Sequence, residues 1–155
     1  MRKAKNTDSE VLLSLLEEAR EYKISLGDDA WGEHPFTQED VALRLKTGCC
    51  YVLEVNGVLV GSTMLIWNDE HNWGNLGRDG NAGYVHGLMV NRDFQGQNFG
   101  KNIIDWAAKQ IKAKGRQFIR LDCRSENLKL CAYYENLGFE KIDSKDGSAF
   151  YQRAV

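Results

Sequence analysis

The stretch from Tyr84 to Cys123 sets the tightest limit on what this chain can fold into. Tyr84-Val85-His86-Gly87-Leu88-Met89-Val90 is apolar on both sides of the strand alternation, as a central strand covered on both faces would be. From Phe99 to Lys114 the residues Ile103, Ile104, Ala107, Ala108 and Ile111 recur on one helical face, and Gly115 closes a helix of about 24 Å. Phe118 to Cys123 is the next strand. A long helix crossing between two such strands makes them parallel. Between the first strand and the helix lies Gln95-Gly96-Gln97-Asn98-Phe99-Gly100-Lys101. A Gly-containing loop at a helix start gathers unpaired backbone N–H groups and the positive end of the helix dipole, which suits a phosphate.

The remaining elements follow in order. Arg2 to Asn6 is a candidate edge strand, and Thr7-Asp8-Ser9-Glu10 is a capping box in which Thr7 caps and Glu10 reaches back. Val11, Leu12, Leu15, Leu16 and Ala19 then predict an amphipathic helix to about Ser25. After Pro35 a second helix starts at the cap Thr37, with Phe36 and Val41 in the staple positions, and stops at Gly48. Cys49 to Val55 and Val58 to Trp67 form a hairpin on Asn56-Gly57. Asn68 to Asn81 is polar and Gly-rich, with Trp73 its one large aromatic residue, and is expected to be a mobile loop. A helix from Asn127 to Leu137 ends at Gly138, and Phe139 to Lys145 pairs with Ala149 to Arg153 across Lys145-Asp146-Gly147-Ser148. The period alone supports a mixed sheet flanked by helices.

At 155 residues the chain reads as one domain over residues 1–155, able to bury roughly two-thirds of its unfolded surface. A net charge of −2 gives no basic stripe for nucleic acid, and no apolar run reaches a membrane span. Cys49, Cys50, Cys123 and Cys131 show no metal-ligand spacing, so no metal site is expected; without a signal peptide they read as reduced thiols of a cytoplasmic protein. A homodimer is left open.

The loop resembles the signature of the GNAT superfamily of acetyl-CoA-dependent N-acetyltransferases: Arg or Gln, two residues, Gly, one residue, then Gly or Ala. Gln95 opens the pattern and Gly100 closes it, with Asn98 at the middle glycine. Asn is the non-Gly residue that best tolerates a left-handed backbone. Nearby cations are limited to Lys101 and Arg92, so phosphate binding would lean on backbone amides. A second motif, Asn127 through Tyr134 to Gly138-Phe139, resembles the family's other signature. Rival readings fail on specifics. As a P-loop, Gly96 to Lys101 is too short and carries Asn102 where a Mg²⁺-binding Ser or Thr belongs. A dinucleotide fingerprint lacks its ribose-binding strand.

The resemblance implies an α/β fold with a mixed, mostly antiparallel central sheet and one parallel strand-helix-strand crossover. It implies acetyl-CoA as co-substrate, a small-molecule or peptide amine as acceptor, and direct transfer in a ternary complex. Such a transfer needs a neutral amine, support for an oxyanion and an exit for the thiolate. Neutralising an alkyl amine at pH 7 costs roughly 4.6 kcal/mol, against about 2 kcal/mol for releasing a thiol as its anion. By the resemblance, Tyr134 is the acid beside the cofactor sulfur, its alternative being a ring packed on the sheet; Tyr133, about 100° away on the helix, is the expected packing ring. A main-chain N–H near Met89 meets the oxyanion, and Leu88 and Val90 bond the cofactor arm. Gln95, Gly96, Gln97, Asn98, Phe99, Gly100 and Lys101 hold its phosphates, and Asn127 either touches the arm or only caps its helix. The base is open between His86, Asp122, Glu54 and a water chain. Trp31, Trp73 and His86 are the candidate amine-pocket residues, with Asp28, Asp29, Glu33, Trp67, Asp69 and Glu70 around them. A non-catalytic acyl-CoA sensor is the alternative function.

Overall fold

The computed structural model describes residues 1–28, 30–32 and 34–155. Its strands are β1 (Arg2–Lys3), β2 (Cys50–Val55), β3 (Val58–Ile66), β4 (Ala82–Val90), β5 (Phe118–Arg124), β6 (Glu140–Lys145) and β7 (Ser148–Ala154). The helices are α1 (Ser9–Ser25), α2 (Gln38–Lys46), the single turn α3 (Glu70–Trp73), α4 (Phe99–Ala113) and α5 (Leu128–Asn136). Among the described residues the seven strands run in the order β1-β2-β3-β4-β5-β7-β6, a mixed α/β sheet. Its parallel pair is β4 with β5, at Ala82 opposite Phe118. The helix α4 that joins them in sequence is what permits that direction.

Two compact units emerge, Met1–Met64 with Gly87–Ile103, and Leu65–His86 with Ile104–Val155. In the first, α1 and α2 bury Leu12, Leu15, Leu16 and Val41 against Cys50, Val52 and Met89. A fully buried Leu or Val contributes about 1.5–3 kcal/mol. Asn56 (φ 52°) and Gly57 (φ 79°) turn β2 into β3 with both residues left-handed, as an Asn-Gly hairpin turn requires. Thr37 caps α2: its Oγ1 accepts from Asp40 N and its own N–H donates to Asp40 Oδ2. The start of α1 departs from expectation. Asp8, not Glu10, reaches back, accepting from Lys5 N at 2.7 Å, and a short 3₁₀ turn over Asn6–Asp8 precedes the helix. Arg2 is the reason, because its guanidinium grips both Asp8 oxygens at 2.7 and 2.9 Å and holds that carboxyl below the usual range.

In the second unit Ile104, Ala107 and Ile111 of α4 are fully buried, while Ala108 is only half-buried. Asn68 to Asn81, expected as a mobile loop, is instead ordered into α3 and a 3₁₀ segment, Gly74–Arg78. Trp73 anchors it, stacked edge-on to Phe150 at 4.9 Å and tilted on Tyr84 at 5.6 Å. Arg120, 2% exposed, ties the same segment down through Leu76 O, Asp79 and the Tyr84 hydroxyl.

Candidate functional site

The first unit holds the anion loop. A 3₁₀ turn, Arg92–Phe94, follows β4, capped by Asn91 Oδ1 accepting from Asp93 N at 2.8 Å. Gly96 (φ 82°) and Asn98 (φ 60°) then take left-handed backbone, so Asn98 does what the usual glycine would. The first intrahelical bond of α4 runs from Asn102 N to Asn98 O, placing the Phe99 and Gly100 amides in the turn whose N–H groups lack i−4 acceptors. Gln95, Gly96, Gln97, Asn98 and Lys101 are exposed, and Phe94 packs on Phe99 beneath them at 6.1 Å. Arg92 is committed elsewhere: its guanidinium lies 3.5 Å from the centroid of the Tyr22 ring. An Asn98→Ala variant is expected to unfold about 1 kcal/mol more easily, since alanine lacks the short polar side chain that lets Asn visit this conformation, while Asn98→Gly stays within about 0.5 kcal/mol of the parent. Denaturant titration of the two variants checks this.

Strand β4 enters this unit through Gly87, whose φ of 55° breaks the strand alternation after His86. Leu88 and Val90 are half-buried, and Met89 turns its side chain into the core of α1 and α2. The Met89 carbonyl lies against Gly61, where a Cβ would come within 2.8 Å.

The second unit holds the titratable cluster. His86, 25% exposed, places Nε2 at 2.9 Å from Oδ2 of Asp69, whose side chain is only 5% exposed. Asp122 on β5 is pushed up by burial first, with His86 opposing that shift and Asp69 adding to it, so the three groups lie within electrostatic reach. Glu54, the other carboxylate considered as a base, belongs to the first unit and is bound by Arg2 at 2.9 Å.

Tyr134 on α5 is 6% exposed, and its ring packs 5.9 Å from Phe139 and 6.0 Å from Tyr151. Tyr134 is the ring in the core, and Tyr133 is half-buried. Helical period gives the 100° between them but not which of the two faces inward. Burial above all, then the neighbouring Cys123, Tyr133, Asp122 and Cys131, pushes the Tyr134 phenol far above the ordinary tyrosine range. Among the described residues the four cysteines form no disulfide, and the Cys123 and Cys131 Sγ atoms lie 3.8 Å apart. Asn127 caps α5, its Oδ1 accepting from Leu130 N at 3.1 Å.

The aromatic wall expected for an amine is largely spent inside the protein. Trp73 is a core ring, 7% exposed. Trp31 is half-buried, edge-on to Phe36 with Lys23 Nζ 5.7 Å from its ring, and Asp28 is ion-paired to that same Lys23. Trp67 carries Lys114 and Arg116 on its ring, and Glu70 pairs with Arg78 at 2.9 Å. Asp29 and Glu33 lie outside the described residues. Asp69, among the described carboxylates considered for the pocket, faces the His86 imidazole.

Known proteins resemble the chain in sequence and in fold. The chain is 28% identical over 151 residues to an uncharacterized N-acetyltransferase, YesJ, of Bacillus subtilis, a match covering 93% of this chain and 82% of the relative. A GNAT-family acetyltransferase from Listeria monocytogenes superposes with a TM-score of 0.83 at 28% identity, over 99% of this chain and 93% of that one. The PaiA N-acetyltransferase of Thermoplasma acidophilum, solved in complex with coenzyme A, shares the fold with a TM-score of 0.78 at 16% identity, over 99% and 97% of the two chains. The model of the acetyltransferase (GNAT) family matches residues 12–139, and the chain therefore belongs to the GNAT family of acetyltransferases.

Proposed function

We propose that the protein transfers the acetyl group of acetyl-CoA to a primary amine, by direct transfer with both substrates bound. The observation that carries this is the turn from Gly96 to Lys101, where two left-handed residues lead into the unbonded amides of a fifteen-residue helix. Phe99 and Gly100 would hold a diphosphate through their N–H groups, with Lys101 the cation beside them. These residues fit a coenzyme A diphosphate, and the coenzyme A bound by the Thermoplasma protein of the same fold supports the assignment. When bound, acetyl-CoA supplies an activated acyl group on a thiol leaving group.

The chain's own residues would do the rest. Main-chain groups of Leu88 and Val90 bond the cofactor arm, and the Met89 N–H donates to the developing oxyanion, a donor of a kind worth about 3–4 kcal/mol. Tyr134 keeps its proton at neutral pH and donates it to the departing thiolate. His86 takes the proton from the amine. Among the described residues considered for the acceptor, His86, Trp31 and Trp67 are half-buried and Glu70 is exposed.

Incubation with acetyl-CoA and a panel of primary amines, followed by thiol release, tests the reading. The expected result is thiol release that depends on one class of amine, together with a raised unfolding temperature in coenzyme A; at a hundredfold excess over Kd the stabilisation is about 2.7 kcal/mol. Thermal protection without turnover on any amine would favour the acyl-CoA sensor, and the absence of both would overturn the proposal.

A further inference from the structure

Resting on the transferase reading for the reaction it serves, we infer that the acceptor amine also carries a carboxylate and that Arg44 is the residue that binds it. Arg44 lies on α2, four residues after Asp40. That spacing brings an acid and a base together on a helix surface. They do not pair here. The Asp40 carboxylate accepts instead from the Thr37 backbone N–H and hydroxyl, at 2.7 and 2.8 Å. Arg44 turns toward the protein: its Nη1 lies 3.8 Å from the Met64 sulfur, and its Cζ lies 5.4 Å from the centroid of the Phe36 ring. A Cβ on Gly87 would stand 3.0 Å from the same Nη1. Among the described residues no carboxylate or carbonyl oxygen accepts from this guanidinium, and the side chain is half-buried.

A guanidinium brings five N–H donors and a charge it does not give up. A thioether is a weak acceptor, and an aromatic ring attracts the charge without offering a lone pair. Burial therefore works against the charged form and lowers Arg44 from the ordinary arginine range, with Cys50 and Asp40 offsetting it only in part. An arriving carboxylate would relieve this, because its two oxygens meet the guanidinium fork with parallel hydrogen bonds. Position decides which molecule brings it. Phe36, Arg44, Met64, Gly87 and Met89 all belong to the first unit. Gly87 adds no side chain to crowd the guanidinium, and Met89, whose N–H is the proposed oxyanion donor, lies two residues further along β4. Two residues of strand span about 6.6 Å. An amine that attacks an acetyl group at Met89 thus presents to Arg44 a group only a few bonds away. An amino acid has that reach, and so has a peptide N-terminus followed by an acidic side chain. Trp31, half-buried and edge-on to Phe36 at 6.2 Å, adds an apolar surface on the same unit for the acceptor's carbon chain.

The experiment joins nitrogen NMR of the arginine side chains, on the full chain with coenzyme A, to acetyl-transfer kinetics. The probes are the common L-amino acids, each beside its carboxamide, the dipeptide amides of Ala-Asp and Ala-Asn, and inorganic phosphate. Arg44→Lys, which keeps the charge and the carbon stem, identifies the Arg44 Nε–H resonance by its loss. That resonance is expected to move saturably with at least one carboxylate-bearing amine and to stay in place with the matching amide. Free amino acids against the Ala-Asp dipeptide then tell a small acceptor from a peptide. In the wild-type protein the acid should exceed its amide in kcat/KM by roughly ten- to a hundred-fold, the worth of a hydrogen-bonded charge pair. Arg44→Gln should erase that preference mainly through KM, since the interaction is made with bound substrate and transition state alike. Equal responses to acids and amides, a resonance that moves with inorganic phosphate alone or with no probe, or a preference that survives Arg44→Gln would overturn the proposal. A resonance that moves with a carboxylate-bearing amine, without acetyl transfer to any amine, would keep the carboxylate site and remove the transferase reading.

Discussion

Replacing Tyr134 by phenylalanine is expected to lower kcat by about ten- to a thousand-fold while the affinity for coenzyme A and the unfolding temperature hardly move. The expectation separates two things the residue does at once. Its ring is a packing element, wedged among Phe139, Tyr151 and Tyr133, and phenylalanine keeps that ring. Its hydroxyl is what the substitution removes. Burial holds the phenol far above its ordinary range, so the proton remains in place at every pH where the protein is assayed. The wild-type kcat should accordingly show no alkaline decline from loss of this acid below about pH 10. The sign for stability runs the same way. Unfolded tyrosine ionises near pH 10 and the buried one does not, so the folded state loses stability only above that pH. Stopped-time thiol assays and thermal melts on the variant decide the matter. Unchanged kcat would take Tyr134 out of the chemistry and leave it a core ring.

Features set by neighbouring residues were legible in the sequence. Asn56-Gly57 and Asp146-Gly147 turn their hairpins with both residues left-handed, because a two-residue turn asks for nothing beyond its own backbone. Thr37 and Asp40 cap α2 because the box is complete within four residues. Asn98 is left-handed for the same local reason. What escaped were outcomes decided by distant partners. The reach-back before α1 moved to Asp8, which accepts from Lys5 N at the 3₁₀ turn, because Arg2, from β1, holds that carboxylate in place. Asn68 to Asn81 read as a loop because its single aromatic anchor, Trp73, finds its partners in Tyr84 and Phe150, on strands elsewhere in the chain. The pairing of Asp69 with His86 was invisible for the same cause. Asp69 was one of several acids around a presumed pocket, and nothing in its own neighbourhood names the imidazole as its partner.

The strongest single test of how rigidly Asp69 is held is the Gly77→Ala variant. A Cβ on Gly77 would lie 2.2 Å from the Asp69 carbonyl oxygen, 2.4 Å from its carbon and 2.5 Å from Glu70 N. All three are backbone atoms, so no side-chain rotation relieves the overlap, and the bond from Asp69 N to Gly77 O must stretch or break. Overpacking of this kind costs about 3 kcal/mol. In a domain of this size that is a fall of roughly 6–12 °C in Tm. Turnover should fall as well, although Gly77 touches no reacting atom, because the displaced carbonyl carries the Asp69 side chain away from His86. The control is Asn75→Ala, an exposed change in the same 3₁₀ segment, expected to stay within about 0.5 kcal/mol of the parent. If Gly77→Ala melts within a degree of the wild type, the segment yields easily and Asp69 is not rigidly held.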